Sequence, residues 1–186
     1  KQHPEREEEG PDMSVRAMGS HQSARSKSTT WLTPLSIVAA LGSFDLDPCG
    51  YPGWETADRL ICLPDDGLSA EWSGRVWLNP PYGAEVWQWL AKLAAHGPGT
   101  ALIFARTETE GFVRAVWDKA TAVKSLYGRL HFHYPDGIRA PGNSGAPSVL
   151  VAYGPLDAAQ LSASSLSGAF VRRREASLPH LAKEAS

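Results

Sequence analysis

The chain has 186 residues, 42% of them hydrophobic and 20% charged, which suits one domain with a hydrophobic core and excludes a chain that is disordered throughout. No apolar run approaches the roughly 18 residues that a membrane span needs, and no apolar signal-peptide core precedes Trp31. The net charge of −2 excludes a chain that is basic all over. We therefore expect a cytoplasmic protein that is not a membrane protein.

The charge is nevertheless uneven along the sequence. Residues 31–95 carry three Lys/Arg against eight Asp/Glu, and residues 96–186 carry ten against seven. Such a division suits a protein that binds a cation in one place and an anion in another, although ordinary surface variation is the simpler explanation. Two cysteines, Cys49 and Cys62, are too few for a disulfide framework, and their spacing matches no zinc site. We expect reduced thiols and no metal.

The first predicted elements lie near the amino terminus. Residues 1–28 are polar and read as a flexible arm, whose basic part from Ser20 to Ser28 has the charge to touch phosphates. Thr33 and Pro34 then read as the N-cap and first position of a helix that Gly42 ends.

The rest of the chain alternates between apolar strands and amphipathic helices. A helix is predicted over Ala84–His96, and a second helix follows a capping box formed by Thr107 and Glu110. The predicted strands are Phe44–Asp47, Arg59–Leu63, Val76–Leu78, Ala101–Ala105, Leu126–Tyr134 and Ser148–Tyr153. This order predicts an α/β fold with a mostly parallel sheet and a C-terminal antiparallel hairpin. We expect the main domain over residues 29–156 and a C-terminal helix or tail over 157–186.

The most informative motif is Asn79-Pro80-Pro81-Tyr82, directly after the predicted strand Val76–Leu78. Open α/β sheets bind ligands at this edge. Neither proline has an N–H, so the backbone carbonyls are left as acceptors, and the Asn79 side chain adds another acceptor. Two converging acceptors suit an exocyclic amino group, and Tyr82 offers a flat face for stacking on a base. The alternative is an ordinary turn that ends a strand, since Asn-Pro and Pro-Pro are frequent turn dipeptides.

At these residues the sequence resembles the amino-group DNA methyltransferases, whose catalytic motif reads Asp/Asn/Ser-Pro-Pro-aromatic. The resemblance to the small phage-type adenine-N6 DNA methyltransferases runs from about Met18 to Tyr153. It is carried by Ser20–Ser23, Trp31–Pro34, Phe44–Cys49, Asp66–Leu68, Trp77–Gly83 and Gly128–Phe132. It implies a trimmed Rossmann-like, S-adenosylmethionine-dependent methyltransferase fold in which Asn79, Pro80, Pro81 and Tyr82 are catalytic.

The resemblance also implies a set of cofactor-binding residues. Thr33 and Pro34 resemble an element that contacts S-adenosylmethionine in larger adenine methyltransferases, and a plain helix cap explains them equally well. The turn after the first strand resembles the first cofactor motif, but it lacks a Gly-x-Gly continuation. Asp66 resembles the acidic residue near the cofactor's adenine, although Asp65-Asp66-Gly67 alone reads as a turn. The expected cofactor-binding residues are Thr33, Pro34, Asp47, Pro48, Cys49 and Asp66.

Double-stranded DNA is the expected partner, without an obligate protein partner. Arg106 follows the strand after the catalytic one and therefore lies at the ligand edge. Arg129, His131 and His133 alternate in the predicted strand Leu126–Tyr134, so their side chains are expected on one face. With Arg139 in the loop beyond, the predicted DNA-binding residues are Arg106, Arg129, His131 and Arg139. A solvated strand face explains the same pattern.

The sequence therefore favours transfer of a methyl group to N6 of a flipped adenine in DNA. Three alternatives stay open. A cytosine-N4 methyltransferase more often has serine in place of Asn79, and a protein glutamine-N5 methyltransferase usually has a richer glycine motif and a helical N-terminal domain. A catalytically inactive DNA-binding module would need no complete cofactor motif.

Overall fold

The computed structural model describes residues 30–173, so the predicted arm over residues 1–28 lies outside the described part. The elements in chain order are α1 (Leu35–Ala39), β1 (Leu46–Asp47), β2 (Arg59–Leu60), β3 (Val76–Leu78), α2 (Val86–His96), β4 (Gly99–Phe104), α3 (Glu110–Phe112), which continues as a π-helical turn (Val113–Trp117), β5 (Ala122–Leu126), β6 (Ser148–Tyr153), α4 (Pro155–Ala163) and β7 (Gly168–Arg172).

The strands form one seven-stranded sheet in the order β2-β1-β3-β4-β6-β5-β7. The pairs β2–β1, β1–β3 and β3–β4 are parallel, whereas β6 is antiparallel to both β4 and β5, and β7 is antiparallel to β5. Strands β1 to β5 therefore run in one direction and bring their carboxyl ends to one edge, which we call the carboxyl edge. The predicted mixed α/β sheet with an antiparallel C-terminal part is confirmed at this level.

Two hydrophobic cores cover the two faces of the sheet. Strand β3 is an example. Its three residues are all buried, and their side chains alternate between the two faces of the sheet. Val76 and Leu78 join the core formed with α2, α3 and the π-helical turn, and Trp77 joins the core formed with α1 and α4. A strand buried on both faces holds the residues that follow it in a fixed position.

A buried ion pair ties the amino end of β3 to α4. The Arg75 guanidinium donates to the Asp157 carboxylate over 2.9 Å, to the Leu41 carbonyl over 2.9 Å and to the Ser43 carbonyl over 2.8 Å. The Thr100 hydroxyl donates to the same carboxylate over 2.9 Å. Burial raises the pKa of Asp157 although Arg75 opposes the change. The pair holds α1, the sheet and α4 together at the edge opposite the carboxyl edge.

Both predicted helix caps are wrong. The N-cap of α1 is Pro34, without a side-chain cap, and the buried Thr33 hydroxyl has no hydrogen-bond partner among residues 30–173. The cap of α3 is Thr109, whose hydroxyl accepts from the Phe112 amide over 3.4 Å, so Thr107 and Glu110 form no capping box. A side chain can cap a helix only at the residue where the backbone enters that helix. In both cases the helix begins later in the sequence than predicted.

The predicted strand Leu126–Tyr134 is also wrong. The strand is β5, which ends at Leu126, and residues 127–147 form a long connection to β6. The glycine Gly128, with a φ of 73°, turns the chain away from the sheet where the strand was expected to continue. The connection returns along the carboxyl edge, and His133 pairs with Leu32 through two 2.9 Å backbone hydrogen bonds. Residues 157–172, expected in a C-terminal helix or tail, contain most of α4 and the strand β7.

Candidate active site

The Asn-Pro-Pro-Tyr element leaves the sheet at the carboxyl end of β3. Asn79 is half-buried, Pro80 is buried, Pro81 is exposed and Tyr82 is half-buried. Pro80 cannot donate a backbone hydrogen bond, and its carbonyl accepts none from the described residues. The element therefore places an amide side chain and a free carbonyl at the edge where α/β sheets bind ligands.

The orientation of the Asn79 amide is fixed by a backbone carbonyl. Its Nδ2 lies 3.1 Å from the carbonyl oxygen of Trp31, and only an N–H can donate to that oxygen. The Oδ1 atom must then face the other way, where the Tyr82 hydroxyl lies 3.4 Å from it. This long hydrogen bond leaves Oδ1 with a lone pair for a further donor. Asn79 is thus oriented with Oδ1 able to accept a further hydrogen bond, while its catalytic role stays a prediction.

Tyr82 stacks on the last residue of β4. Its ring lies 4.3 Å from the Phe104 ring at an interplanar angle of 16°, and it meets the edge of Phe132 at 6.3 Å. Burial raises the pKa of the Tyr82 hydroxyl above its usual range, so the phenol stays protonated and donates to Asn79. The ring is held flat beside the amide, and it keeps partial exposure to solvent.

A small cavity lies beside Asn79, between the carboxyl ends of β1 and β3. Its volume is about 20 Å³, room for about one water molecule. Strand β2 lies on one side of β1 and β3 on the other, so this is the point where the strand order reverses. The walls are formed by Trp31, Leu32, Thr33, Asp47, Cys49, Tyr51, Trp54, Thr56, Trp77 and Asn79. The cavity thus brings the catalytic candidate together with three cofactor-binding candidates, Thr33, Asp47 and Cys49.

Asp47 is the charged group of this cavity and is only 4% exposed. Its carboxylate accepts from the Cys49 amide over 2.8 Å and from the Thr56 hydroxyl. Burial raises its pKa from the ordinary 3.8 to about 6, against the two hydrogen bonds, which lower it. A buried carboxylate without a cationic partner attracts a positively charged ligand.

Two further features, the Thr33 hydroxyl and the turn next to Gly67, bear on whether the cavity suits a polar ligand. The Thr33 hydroxyl is buried and has no hydrogen-bond partner in the described part of the chain. Such an atom is normally satisfied by a partner or a ligand. At the next turn, a Cβ at Gly67 would lie 2.0 Å from the Pro48 carbonyl oxygen, so only glycine allows this close approach. Thr33 and Asp47 together fit a ligand that carries both polar and cationic groups.

Of the other cofactor-binding candidates, Cys49 lines the cavity and Asp66 does not. Pro34 begins α1, and Pro48 is buried in the turn after β1. Burial and the neighbouring Asp47 raise the pKa of the Cys49 thiol above its usual range, which leaves it an unreactive wall residue. Asp66 is exposed and does not line the cavity. Its carboxylate accepts from the Leu68 amide and the Ser69 hydroxyl, and these hydrogen bonds lower its pKa.

The four DNA-binding candidates are not brought onto one strand face. Arg106 is exposed in the loop after β4, and Arg129 and Arg139 are exposed in the connection between β5 and β6. His131 is half-buried with Nδ1 3.3 Å from the Ala140 carbonyl. The His133 ring instead packs on Trp54 at 5.1 Å. The shared face predicted from alternation is therefore wrong because this segment is not a strand, while the roles in DNA binding stay predictions.

Sequence reasoning missed the groups that shape the cavity. Thr56 holds the Asp47 carboxylate, and nothing in its local sequence marks it. Trp31 and Trp54 close the cavity, and the Trp54 indole donates to the Thr33 carbonyl over 2.8 Å. Both tryptophans could have been recognised as wall residues from the sequence, because large apolar side chains outside helices and strands usually cover another surface.

Fold and site together define an α/β protein with an acceptor-rich Asn-Pro-Pro-Tyr element at the ligand edge of its sheet. The chain belongs to the DNA N-6-adenine-methyltransferase (Dam) family, whose model matches residues 20–175. The predicted family is thereby confirmed. Comparisons with curated proteins and with solved structures gave no match.

Two features are absent from the described residues. Within residues 30–173, no helix has the length and apolar character to cross a membrane. The same residues contain no group of three or more His, Cys, Asp or Glu side chains placed to hold a metal ion.

Proposed function

We propose that this protein transfers a methyl group from S-adenosylmethionine to N6 of an adenine that has been flipped out of duplex DNA. The observation that carries the proposal is the Asn79 amide, which the Trp31 carbonyl turns so that Oδ1 faces the Tyr82 hydroxyl and keeps a lone pair for a further donor. An exocyclic amino group has two hydrogens, and Oδ1 and the Pro80 carbonyl are two acceptors for them. Tyr82 supplies the aromatic plane beside the base.

The cavity supports the assignment of the cofactor. When bound, S-adenosylmethionine supplies an electrophilic methyl group on a positively charged sulfur. Asp47 would attract its cationic groups, the free Thr33 hydroxyl would accept or donate one hydrogen bond, and the Gly67–Pro48 contact keeps the turn after β1 compact. The present volume of about 20 Å³ is far below the 300 Å³ or more that ligand sites usually have. Binding therefore requires the Trp31 or Trp54 side chain to move outward.

The role of Asn79 in the reaction follows from its hydrogen bonds. An amino nitrogen that attacks a methyl group develops positive charge, and an oriented acceptor on its hydrogens stabilises that charge. The same contact fixes the direction of the nitrogen lone pair. No cysteine nucleophile takes part, because the amino group attacks directly. Arg106, Arg129 and Arg139 are exposed cations at or near this edge and would contact phosphates.

The test is incubation with unmethylated plasmid DNA and S-adenosylmethionine labelled in its methyl group, followed by nucleoside analysis. Label in N6-methyldeoxyadenosine supports the proposal. Label in N4-methyldeoxycytidine identifies the cytosine alternative, and label in neither nucleoside contradicts methylation of DNA.

Replacement of the acceptor tests its role. Asn79→Ala should lower kcat by about 10²–10³-fold, because it removes one preorganised group that acts in the transition state. Cofactor affinity should change little. The control is Gln160→Ala, an exposed amide on α4 at the opposite edge, which should leave the rate unchanged. Full activity of Asn79→Ala would contradict the role.

A second candidate, a DNA-binding module without catalysis, is favoured by one observation, the small volume of the cavity. The two candidates differ in cofactor binding. Calorimetric titration with S-adenosylmethionine should give a saturable heat for the enzyme and none for the module.

A further inference from the structure

The long connection between β5 and β6 carries a tight turn at residues 134–138, which we call the tip. The Tyr134 amide donates to the Ile138 carbonyl over 2.9 Å, and the Gly137 amide donates to the Tyr134 carbonyl over 2.8 Å. The Asp136 carboxylate accepts from the Ile138 amide over 2.8 Å. Gly137 adopts a φ of 80°, which the turn requires. Three hydrogen bonds across five residues make the tip rigid.

The chain on both sides of the tip is fixed to the body of the protein. On one side, His133 pairs with Leu32, and Phe132 is buried in the core. On the other side, the Ala140 amide donates to the Phe132 carbonyl over 2.8 Å. The tip is therefore held in one place and does not swing as a free loop.

A large apolar side chain projects from this rigid tip. Ile138 is 63% exposed, and Arg139 beside it is exposed as well. Single exposed apolar residues are ordinary on protein surfaces. This one differs because a hydrogen-bonded turn holds it outward with a cation beside it.

The tip lies next to the candidate active site. The Tyr134 ring packs on Trp31 at 5.4 Å, and Trp31 is the residue whose carbonyl orients Asn79. A Cβ at Gly137 would lie 3.7 Å from the Trp54 ring, which forms a wall of the cavity. Ile138 thus stands on the rim of the place where a flipped base would enter.

We propose that Ile138 enters the base stack of duplex DNA and fills the space that the target base leaves, while Arg139 contacts the neighbouring phosphate. Apolar wedges of this kind, flanked by cations, offset the unstacking of DNA. The inference rests on the proposed function. Ile138 is a positioning residue, since it acts on the DNA and does not touch the reacting atoms.

The experiment compares two short duplexes that carry the methylation site mapped on unmethylated plasmid DNA. In one, the target adenine pairs with thymine, and in the other it faces an abasic position. An unpaired base leaves the stack at low cost, so a wedge matters less there. Ile138→Ala should lower kcat/KM about tenfold or more on the paired duplex and less than about threefold on the abasic one. Ile138→Leu should keep the wild-type ratio of the two rates.

The control is Leu156→Ala, which removes an apolar side chain of similar exposure, 56%, from α4 at the opposite edge. It should leave both rates unchanged. Equal losses on the two duplexes, or no loss on either, would overturn the role of Ile138 while the wild-type enzyme still methylates DNA. Absence of wild-type methylation on both duplexes would refute the proposed function itself, and the inference would fall with it.

Discussion

We expect Asp47 to link the stability of the fold to the binding of a cationic ligand, and the substitution Asp47→Asn should separate the two. The carboxylate is 4% exposed, and its pKa is raised from 3.8 to about 6 by burial. Asparagine has the same shape without the charge. Its Nδ2 can face the Thr56 hydroxyl, which accepts as well as donates, and its Oδ1 can still accept from the Cys49 amide. We therefore expect Asp47→Asn to fold.

The size of the expected change in stability follows from the pKa of Asp47. A difference between 3.8 and about 6 corresponds to about 3 kcal/mol between the protonated and ionised forms. Because the folded pKa lies above the ordinary value, this contribution to stability is present below pH 3.8 and is lost as the pH rises through about 6. At pH 7.5 the variant should therefore be more stable than the wild type, by up to about 3 kcal/mol. The difference should shrink as the pH falls toward 4.

Asp47→Asn should weaken cofactor binding, although it stabilises the fold. A cationic cofactor needs the ionised carboxylate, so wild-type affinity for S-adenosylmethionine should fall about tenfold from pH 7 to pH 5. The affinity of Asp47→Asn should be weaker and nearly independent of pH. Urea unfolding and calorimetric titration across this range measure the two effects. A variant less stable than the wild type at pH 7.5, or a wild-type affinity that does not change with pH, would refute the reasoning.

Two other substitutions test the packing of the fold, one at the edge opposite the site and one in the turn beside it. Asp157→Ala leaves the buried guanidinium of Arg75 without its carboxylate and should lower the free energy of unfolding by about 3–5 kcal/mol; Glu110→Ala, which removes an exposed ion pair, should change it by less than about 0.5 kcal/mol. Thermal and urea unfolding measure both, and similar losses would show that burial does not decide the cost. Gly67→Ala forces a Cβ into a backbone carbonyl of the turn after β1 and should lower stability by about 1–3 kcal/mol while weakening cofactor binding. Gly142→Ala, which meets open space, should do neither, and equal cofactor affinities of the two variants would argue against a role for the turn.

The sequence was sufficient where local pattern and tertiary structure agree. Strand β3 is three buried residues followed by Asn79 and two prolines, so its position, its end and its place at the carboxyl edge could all be predicted. The family resemblance rested on this element, on the turn after β1 and on four shorter segments, and the family is confirmed. Both features are set by residues adjacent in sequence.

Prediction failed where distant segments decide the local structure. The alternation of Arg129, His131 and His133 is typical of a strand, yet the backbone of this segment pairs with Leu32, about a hundred residues earlier. Periodicity cannot distinguish a strand that joins the sheet from an extended connection that pairs with a loop. Thr56 was missed for the same reason, because its contact with Asp47 depends on a fold that brings the loop before β2 against the end of β1.

The position of the Asn79 acceptor therefore depends on more than the motif that contains it. Its Oδ1 faces the Tyr82 hydroxyl because Nδ2 is engaged by the Trp31 carbonyl. Trp31 is in turn held by Tyr134 and by the adjacent pairing of Leu32 with His133. A chain with the same four motif residues but a different connection after β5 would leave the amide free to rotate, and Nδ2 would compete with Oδ1 for the same position. The connection between β5 and β6 thus carries the exposed tip and also holds Trp31, whose carbonyl orients the Asn79 amide.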